Sequence, residues 1–138
     1  MKPSDIIKII NRFSTLHRNR IQKIMEEEGL YFGQHPILWE LLKNGSQTQV
    51  ELARRLGVTT VTVNNSVRRL SKGGFIVKEE DPNDLRKTHI RLTEKGKESA
   101  VRCQNSFCEL DQELFRGISE TEMEVLYQMF GRMIQNLS

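Results

Sequence analysis

Residues 59–70, with the sequence TTVTVNNSVRRL, carry side chains suited to contacting DNA bases. If the segment is helical, Val63, Val67 and Leu70 recur three or four residues apart and should face the core. The other faces then present short, uncharged side chains near the helix start. These can hydrogen-bond to base edges in a major groove or touch the methyl group of thymine. The predicted base contacts are Thr60, Val61, Thr62, Asn64 and Asn65.

Threonine and valine favour strands, so the helix prediction depends on the flanking residues. Thr59 is a suitable N-cap, and Gly73 and Gly74 form a stop. Gly57 can adopt a left-handed turn between two helices. The preceding helix has Val50, Leu52, Ala53 and Leu56 at helical spacing. We predict a helix-turn-helix, although such a helix pair can also serve packing alone.

Two short β-prone runs, residues 75–79 and 88–92, flank a polar loop. They predict a hairpin with a long tip. A hairpin directly after a recognition helix is a wing, and Arg86 or Lys87 at its tip can enter a narrow minor groove. The alternative is an ordinary solvated turn with charged residues.

These runs resemble the MarR family of winged-helix transcriptional regulators. The resemblance is carried by ELARRLGVT at 51–59, VRRL at 67–70, GFI at 74–76, DPNDLR at 81–86 and LTEKG at 92–96. It implies a homodimer that binds a palindromic operator and often releases it when a phenolic or other ligand, an oxidant or a metal binds. The family's wing motif places an Asp and an Arg near the tip, here Asp84 and Arg86. The family often has Arg or Ser at the position of Asn65, so the operator sequence is not inherited from relatives.

Composition is consistent with nucleic-acid binding. The chain has 138 residues, which fits one domain, and a net charge of +3. Residues 43–97 hold 12 Lys and Arg against 6 Asp and Glu, so the basic charge is concentrated on the predicted DNA-binding unit. A like-charged patch can also be only a solvated face. No apolar run approaches a membrane span and no signal peptide is evident, so we expect a cytoplasmic protein without membrane contact.

The two ends of the chain predict long amphipathic helices, at about residues 4–28 and 119–137. Ser4 is a plausible cap and Gly29 a plausible stop for the first, and Ser119 begins a capping-box sequence in the second. We expect the two ends to pack together and against a second subunit as dimerisation helices. An intramolecular bundle is the alternative.

Between the ends, the winged-helix DNA-binding lobe should cover about residues 37–92. A linking helix, at about residues 93–116, should be capped by Thr93 and end at Gly117, so that a change at the dimer base can move the DNA-binding helices. Thr48 should cap the first helix of the pair and leave its N–H groups near a phosphate. The predicted phosphate contacts are Ser46, Thr48, Arg68 and Arg69.

Several aromatic and histidine residues are candidates for the lining of an effector pocket. Its candidate lining residues are Phe13, His17, Tyr31, His35, Trp39 and Phe107, most of which can equally be core residues. The His and Cys spacings match no metal motif, so we expect no metal. Cys103 and Cys108 are five residues apart on different faces of a helix and are not placed for a disulfide. No catalytic or nucleotide-binding motif is present, so we expect neither an enzyme nor a cofactor.

We therefore expect a mainly α fold with a small β-hairpin wing, that is, an α+β winged helix-turn-helix in a single domain. Its expected function is that of a homodimeric repressor of transcription that binds double-stranded DNA and responds to a small-molecule effector. One alternative is a winged helix that binds proteins and has no operator of its own. Another is a regulator that senses a metal or the redox state.

Overall fold

The computed structural model describes residues 1–31 and 33–138, with the backbone alone at Leu85. The helices and strands follow one another as α1 (Pro3–Glu27), α2 (His35–Asn44), β1 (Gln47–Thr48), α3 (Gln49–Leu56), α4 (Thr60–Lys72), β2 (Ile76–Asp81), β3 (Asp84–Leu92), α5 (Glu94–Leu114) and α6 (Glu120–Leu137). The chain divides into two compact units, Met1–Phe107 and Cys108–Ser138. None of the described helices is both long and apolar enough to cross a membrane.

The first helix begins earlier than predicted, so the assignment of Ser4 as its cap is wrong. The backbone N–H of Lys2 donates to Oδ2 of Asp5 at 2.9 Å, and Pro3 occupies the first turn. Proline lacks an N–H and has a helical φ, so it favours a helix start at its own position. Ser4 therefore lies inside the first turn.

The end of α1 confirms the glycine stop. Gly29 has a φ of 72°, which an L side chain rarely adopts. The next N–H, that of Leu30, returns to the carbonyl of Met25 at 2.9 Å. This geometry terminates the helix and buries Leu30 and Met25 in the core.

The helix-turn-helix is formed by α3 and α4, as predicted. Thr48 accepts the N–H of Glu51 at 3.2 Å and Thr59 accepts that of Thr62 at 3.1 Å, so both threonines are N-caps. Gly57 ends α3 in the left-handed region, with φ 67° and ψ 32°. The glycine lets the chain turn within three residues from one helix into the next.

The core of the first unit is built on the inner faces of these helices. Val63, Val67 and Leu70 are fully buried, which confirms their predicted orientation. They belong to an apolar cluster with residues of α1, α2, the strands and α5. In α3, Leu52 and Ala53 are buried as their spacing predicts, whereas Val50, grouped with them in the sequence, is exposed because α3 turns that side toward solvent.

The three strands form an antiparallel sheet in the order β1-β3-β2. The predicted hairpin is present, but its long tip is wrong: β2 continues to Asp81 and β3 begins at Asp84. The Asp81 carboxylate accepts the N–H of Asn83 at 2.8 Å, which closes the turn locally. Arg86 and Lys87 consequently lie on β3 and not in a loop.

A second difference is β1, which the sequence did not predict. Gln47 pairs with Ile90 and Thr48 with His89, so β3 has a neighbour on each side. Two residues are too few to show a period of alternation. The pairing attaches the start of the helix-turn-helix to the wing.

The wing joins α5 at a tight junction. Thr93 Oγ1 accepts the N–H of Gly96 at 3.1 Å and donates to the carbonyl of Gly74 at 2.6 Å, which confirms Thr93 as the cap of this helix. The N–H of Thr93 donates to the Phe75 carbonyl at 3.1 Å. The connection between α4 and β2 therefore lies within hydrogen-bond distance of the residue that caps α5.

In the second unit, α6 begins with the predicted capping box, in which Ser119 and Glu122 exchange hydrogen bonds of 3.1 Å. No residue of α6 is buried in the single chain. Its exposed apolar side chains are Met123, Val125, Leu126, Tyr127, Met129, Phe130, Met133, Ile134 and Leu137.

Candidate nucleic-acid interface

The outer surface of α4 presents the side chains predicted to contact bases. Thr60, Val61, Thr62, Asn64 and Asn65 are all exposed, and Val61 is 69% exposed although it is apolar. On the opposite side of the same helix, Val63, Val67 and Leu70 pack into the core and fix the orientation of this surface. The exposed face thus combines hydrogen-bonding groups with an apolar contact for a thymine methyl group.

Two neighbouring residues orient the asparagines. Gln49 Nε2 donates to Asn64 Oδ1 at 3.4 Å, and Arg68 Nη2 donates to Asn65 Oδ1 at 3.0 Å. Arginine can only donate, so the Asn65 oxygen must face it. The Asn65 amide N–H groups are then available for acceptors on a base edge.

Thr60 and Thr62, both predicted to contact bases, differ in whether their hydroxyls are already hydrogen-bonded. The hydroxyls of Thr59 and Thr62 lie 2.9 Å apart and hydrogen-bond to each other. Thr62 is therefore partly committed to the helix cap, whereas Thr60 has an exposed hydroxyl.

The predicted phosphate contacts are not equivalent. Ser46 Oγ donates to the Ile90 carbonyl at 3.3 Å, so its proton is used within the sheet. Thr48 Oγ1 accepts from Glu51 and keeps its own proton for another acceptor. Arg68 and Arg69 are exposed on the last turns of α4.

Arg69 has an aromatic neighbour from another part of the chain. Its Cζ lies over the ring of Tyr31, 5.3 Å from the centroid. Tyr31 is in the connection between α1 and α2 and is 62% exposed. This pair places a predicted pocket residue against a predicted phosphate contact.

The wing carries a basic side chain that projects fully into solvent. Arg86 is 94% exposed in its side chain, and Asp84 Oδ1 accepts both its N–H, at 3.0 Å, and its Nε, at 3.4 Å. Lys87, the next residue, is also exposed. The wing thus presents two cations on β3, one of them tethered by an aspartate.

One ion pair and one hydrogen bond across the hairpin hold these residues in register. Arg91 pairs with Glu79 at 2.7 Å, and His89 Nε2 lies 3.0 Å from Asp81 Oδ2. The hydrogen bond from the Asn83 N–H, and then that from His89, lower the pKa of Asp81 below its usual value. Asp81 is therefore an anion at neutral pH and keeps the turn closed.

The six residues predicted to line an effector pocket occupy three places. Phe13 and His17 stack on each other at 5.6 Å along α1. His35 stacks with Trp39 at 6.0 Å and meets the edge of Phe107 at 4.6 Å. Tyr31, the sixth residue, is in contact with Arg69. A groove of about 350 Å³ is lined by Gln22, Glu26, Gly29, Leu30 and Tyr31.

His35 is the chemically distinctive member of this set. Burial lowers its pKa, and a hydrogen bond to the Ala100 backbone offsets part of that effect. Its Nε2 atom is buried without a hydrogen-bond partner among the described residues. The ring is therefore neutral at physiological pH, and it combines an unused polar atom with contacts to two aromatic rings.

Neither Cys103 nor Cys108 forms a disulfide within the part of the chain that the structure describes. Cys103 is buried, and desolvation raises its pKa to about 11, with the nearby Glu28 carboxylate adding to the effect. A thiol in this environment is a poor nucleophile. Cys108 is exposed on the other unit. Within residues 1–31 and 33–138, no three His, Cys, Asp or Glu side chains are grouped as metal ligands.

Sequence reasoning missed two contributors to this surface. Gln49 orients Asn64 from the neighbouring helix, and Tyr31 supports Arg69 from a connection that is distant in the chain. Neither residue belongs to a spacing pattern, because each contact is created by tertiary packing. The sequence marked Tyr31 only as a candidate pocket residue.

An exposed second helix of a helix-turn-helix followed by an antiparallel hairpin defines the winged-helix class. The family model described as the MarR family matches residues 28–87. The repressor IacR of Pseudomonas putida, named as an HTH-type transcriptional repressor, is 26% identical over 121 residues, covering 88% of this chain and 72% of IacR.

Solved structures show the same fold. The transcriptional regulator SlyA has a TM-score of 0.76 and 26% identity, with 96% of this chain and 94% of SlyA covered. PcaV of Streptomyces coelicolor, solved with its natural ligand, has a TM-score of 0.74 at 22% identity, with 94% and 92% covered. The chain is a winged helix-turn-helix transcriptional regulator whose residues 28–87 match the MarR family. This confirms the predicted family and fold class, and it means that the protein is a DNA-binding regulator and not an enzyme.

Proposed function

We propose that the protein is a homodimeric repressor that reads a palindromic operator through α4 and releases it when an effector binds. The observation that carries the proposal is the outer face of α4, where five exposed side chains capable of base contact adjoin two exposed arginines. A cytoplasmic location follows from this role.

In the proposed complex, α4 enters the major groove and its side chains divide into two classes. Thr60, Val61, Thr62, Asn64 and Asn65 contact bases, with Asn65 offering N–H donors because its oxygen is held by Arg68. Ser46, Thr48, Arg68 and Arg69 lie along the phosphates. For Ser46 the donor is its backbone, since its hydroxyl is bonded within the sheet. Two subunits place their helices about one turn, or about 10 base pairs, apart.

The wing provides a second, separate contact. Arg86 enters the minor groove, Asp84 restrains its guanidinium from one side, and Lys87 neutralises a neighbouring phosphate. A narrow, A·T-rich groove has the strongest negative potential and attracts such a cation. The operator should therefore be A·T-rich outside the segment read by α4.

Dimerisation is supported by the apolar surface of the two end helices, at about residues 4–28 and 119–137. Exposed apolar residues lie along α6, and the first half of α1 adds Ile6, Ile7, Ile9, Phe13 and Leu16. An exposed apolar face on a helix is typical of an interface. Phe130→Glu should convert the dimer to monomer in sedimentation velocity, whereas Arg132→Glu, a charge change on the same helix, should not.

The effector site is proposed at the aromatic cluster of His35, Trp39 and Phe107, with Phe13, His17 and Tyr31 at its margins. The support is the unused Nε2 atom of His35, which can accept a hydrogen bond from a hydroxyl or a carboxylic acid. PcaV, a relative in fold, was solved with its natural ligand. Quenching of Trp39 fluorescence by 2-hydroxybenzoate, lost in His35→Phe, would support this site.

The experiment that tests the proposal is selection of bound sequences from a random duplex pool at about physiological salt, because low salt hides specificity. An enriched palindrome is expected. Asn65→Ala should relax preference at one position by about 1–3 kcal/mol, whereas Arg69→Ala should weaken binding to all sequences. Lys23→Ala, which removes the same charge on α1, is the control. A folded dimer that enriches no sequence would refute operator reading and favour a protein-binding role.

A further inference from the structure

We propose that Tyr31 is a positioning residue for DNA binding, whose ring holds the Arg69 guanidinium where it meets a phosphate. The proposal rests on the proposed function, in which α4 lies in the major groove. It assigns to the connection between α1 and α2 a direct part in holding the DNA-binding surface.

The first support is the contrast between the two arginines of α4. Arg68 is restrained by Asn65 at 3.0 Å. The Arg69 side chain makes no hydrogen bond or ion pair to any residue that the structure describes, and its contact is the Tyr31 ring at 5.3 Å. An arginine side chain that moves freely loses rotamer entropy when it is fixed, so a surface that orders it in advance strengthens binding.

The second support is the way in which Tyr31 itself is held. Its N–H donates to Gln34 Oε1 at 2.9 Å, and its carbonyl accepts the Gln34 N–H at 3.1 Å. Gln34 is buried, with only 3% of its surface exposed. The residue before Tyr31 is Leu30, whose N–H is bonded to the end of α1. The ring therefore projects from backbone that is fixed by a buried side chain on one side and a helix end on the other.

The third support is that the aromatic contact and a phosphate contact do not compete. A guanidinium is planar and meets an aromatic ring through its face, whereas its N–H donors lie in the plane. The edge of Arg69 stays available for a bidentate hydrogen bond to phosphate oxygens. Exposed cation–π contacts contribute an amount that corresponds to about 2- to 5-fold in affinity for each subunit.

The test needs no knowledge of the operator, because a phosphate contact is independent of sequence. Binding of the full-length protein to a random-sequence duplex is measured by fluorescence anisotropy at several salt concentrations. The variants are Tyr31→Phe, Tyr31→Trp, Tyr31→Leu, Arg69→Ala and the double variant with leucine and alanine at the two positions. Thermal melting of each variant controls for loss of folding.

We expect Tyr31→Phe and Tyr31→Trp to bind like the natural chain, since each keeps an aromatic face. Tyr31→Leu should bind about 2- to 5-fold more weakly for each subunit with its melting temperature unchanged. Arg69→Ala should reduce the magnitude of the salt slope by about 1 for each phosphate that the arginine neutralises. The double variant should bind like Arg69→Ala alone.

Other outcomes overturn the proposal in distinguishable ways. If Tyr31→Leu weakens DNA binding by the same factor in the Arg69→Ala background as in the natural chain, Tyr31 does not act through Arg69. If Tyr31→Phe is as weak as Tyr31→Leu, the hydroxyl is the contact, and if Tyr31→Leu binds more tightly, the ring withholds the arginine. If Arg69→Ala binds normally, Arg69 meets no phosphate and the inference fails alone. If the natural chain does not bind duplex DNA, the proposed function fails as well.

Discussion

Replacing Gly96 with alanine should destabilise the junction between the wing and α5. Gly96 has ordinary helical backbone geometry, so it is space and not φ that demands glycine. An added Cβ would overlap the carbonyl oxygen of Phe75, would lie 3.0 Å from its carbonyl carbon, and would lie 3.2 Å from Leu92 Cδ2. The obstructing group is backbone that also accepts a hydrogen bond from Thr93.

The expected loss of stability follows from three contributions. Overpacking against a rigid group costs about 1–3 kcal/mol. Weakening the bond from Thr93 to the Phe75 carbonyl removes about 1 kcal/mol more. The higher helix propensity of alanine offsets about 1 kcal/mol. The net destabilisation is therefore about 1–3 kcal/mol, which corresponds to roughly 1 M in the midpoint of a urea transition.

The assay is urea unfolding followed by circular dichroism at one fixed protein concentration. The adjacent exposed residue Lys97 provides a matched control, because Lys97→Ala and Lys97→Gly compare the same two residue types in the same helical turn. At position 97 alanine should be the more stable by about 1 kcal/mol, and at position 96 glycine should be. If alanine gives a higher urea midpoint than glycine at position 96, as it should at position 97, then the Phe75 carbonyl does not restrict the size of the side chain at position 96.

Three further changes have defined outcomes. Gly57→Ala should lower the free energy of unfolding by about 1–2 kcal/mol through backbone strain alone, because φ is 67° and an added Cβ would meet no atom within 4 Å. Gly57→Asn should lose less stability, since asparagine tolerates this conformation better. Equal melting temperatures of the natural chain and both variants would contradict this strain. Cys103 should react with iodoacetamide at pH 8 only after unfolding, since a pKa of about 11 reduces its thiolate about 100-fold, and labelling of native protein seen by peptide mass spectrometry would refute its burial. Glu28 hydrogen-bonds Arg102 at 2.8 Å, which lowers the carboxyl pKa below 4.5. The ion pair therefore contributes stability above about pH 4.5, and this stability is lost as the pH falls through the lowered pKa of Glu28. Glu28→Gln should have a lower melting temperature than the natural chain at pH 7 and a similar one in acid. A difference in melting temperature that is independent of pH would exclude this linkage.

Features encoded by neighbouring residues were predictable from the sequence. Thr48 and Thr59 cap helices with their own hydroxyls, and Gly57 turns the chain with its own backbone freedom, so each position carries its signal locally. The buried face of α4 was readable for the same reason, since helical periodicity identifies residues that share a face. The assignments of individual side chains to bases and phosphates remain predictions.

Features that depend on distant partners were not predictable. The pairing of Thr48 with His89 joins segments that share no local pattern. The predicted tip was too long because the charged residues Glu80 and Asp81 have low strand propensity. The ladder nevertheless continues through them, since Glu80 pairs with Thr88 and Asp81 with Asp84 across the hairpin. Pocket residues chosen by aromatic type alone separated into three places, because type does not specify which surfaces meet.

The short strand β1 also has a consequence for the order of folding. The hairpin of β2 and β3 closes over a two-residue turn and can form early, whereas Gln47 and Thr48 must wait for a strand that is more than 40 residues further along the chain. The segment between them contains both α3 and α4, so those two helices form the loop that this last pairing closes. Amide hydrogens of β1, α3 and α4 should therefore exchange with solvent in one cooperative opening, slower than the frayed ends of α1 and faster than the core of the hairpin.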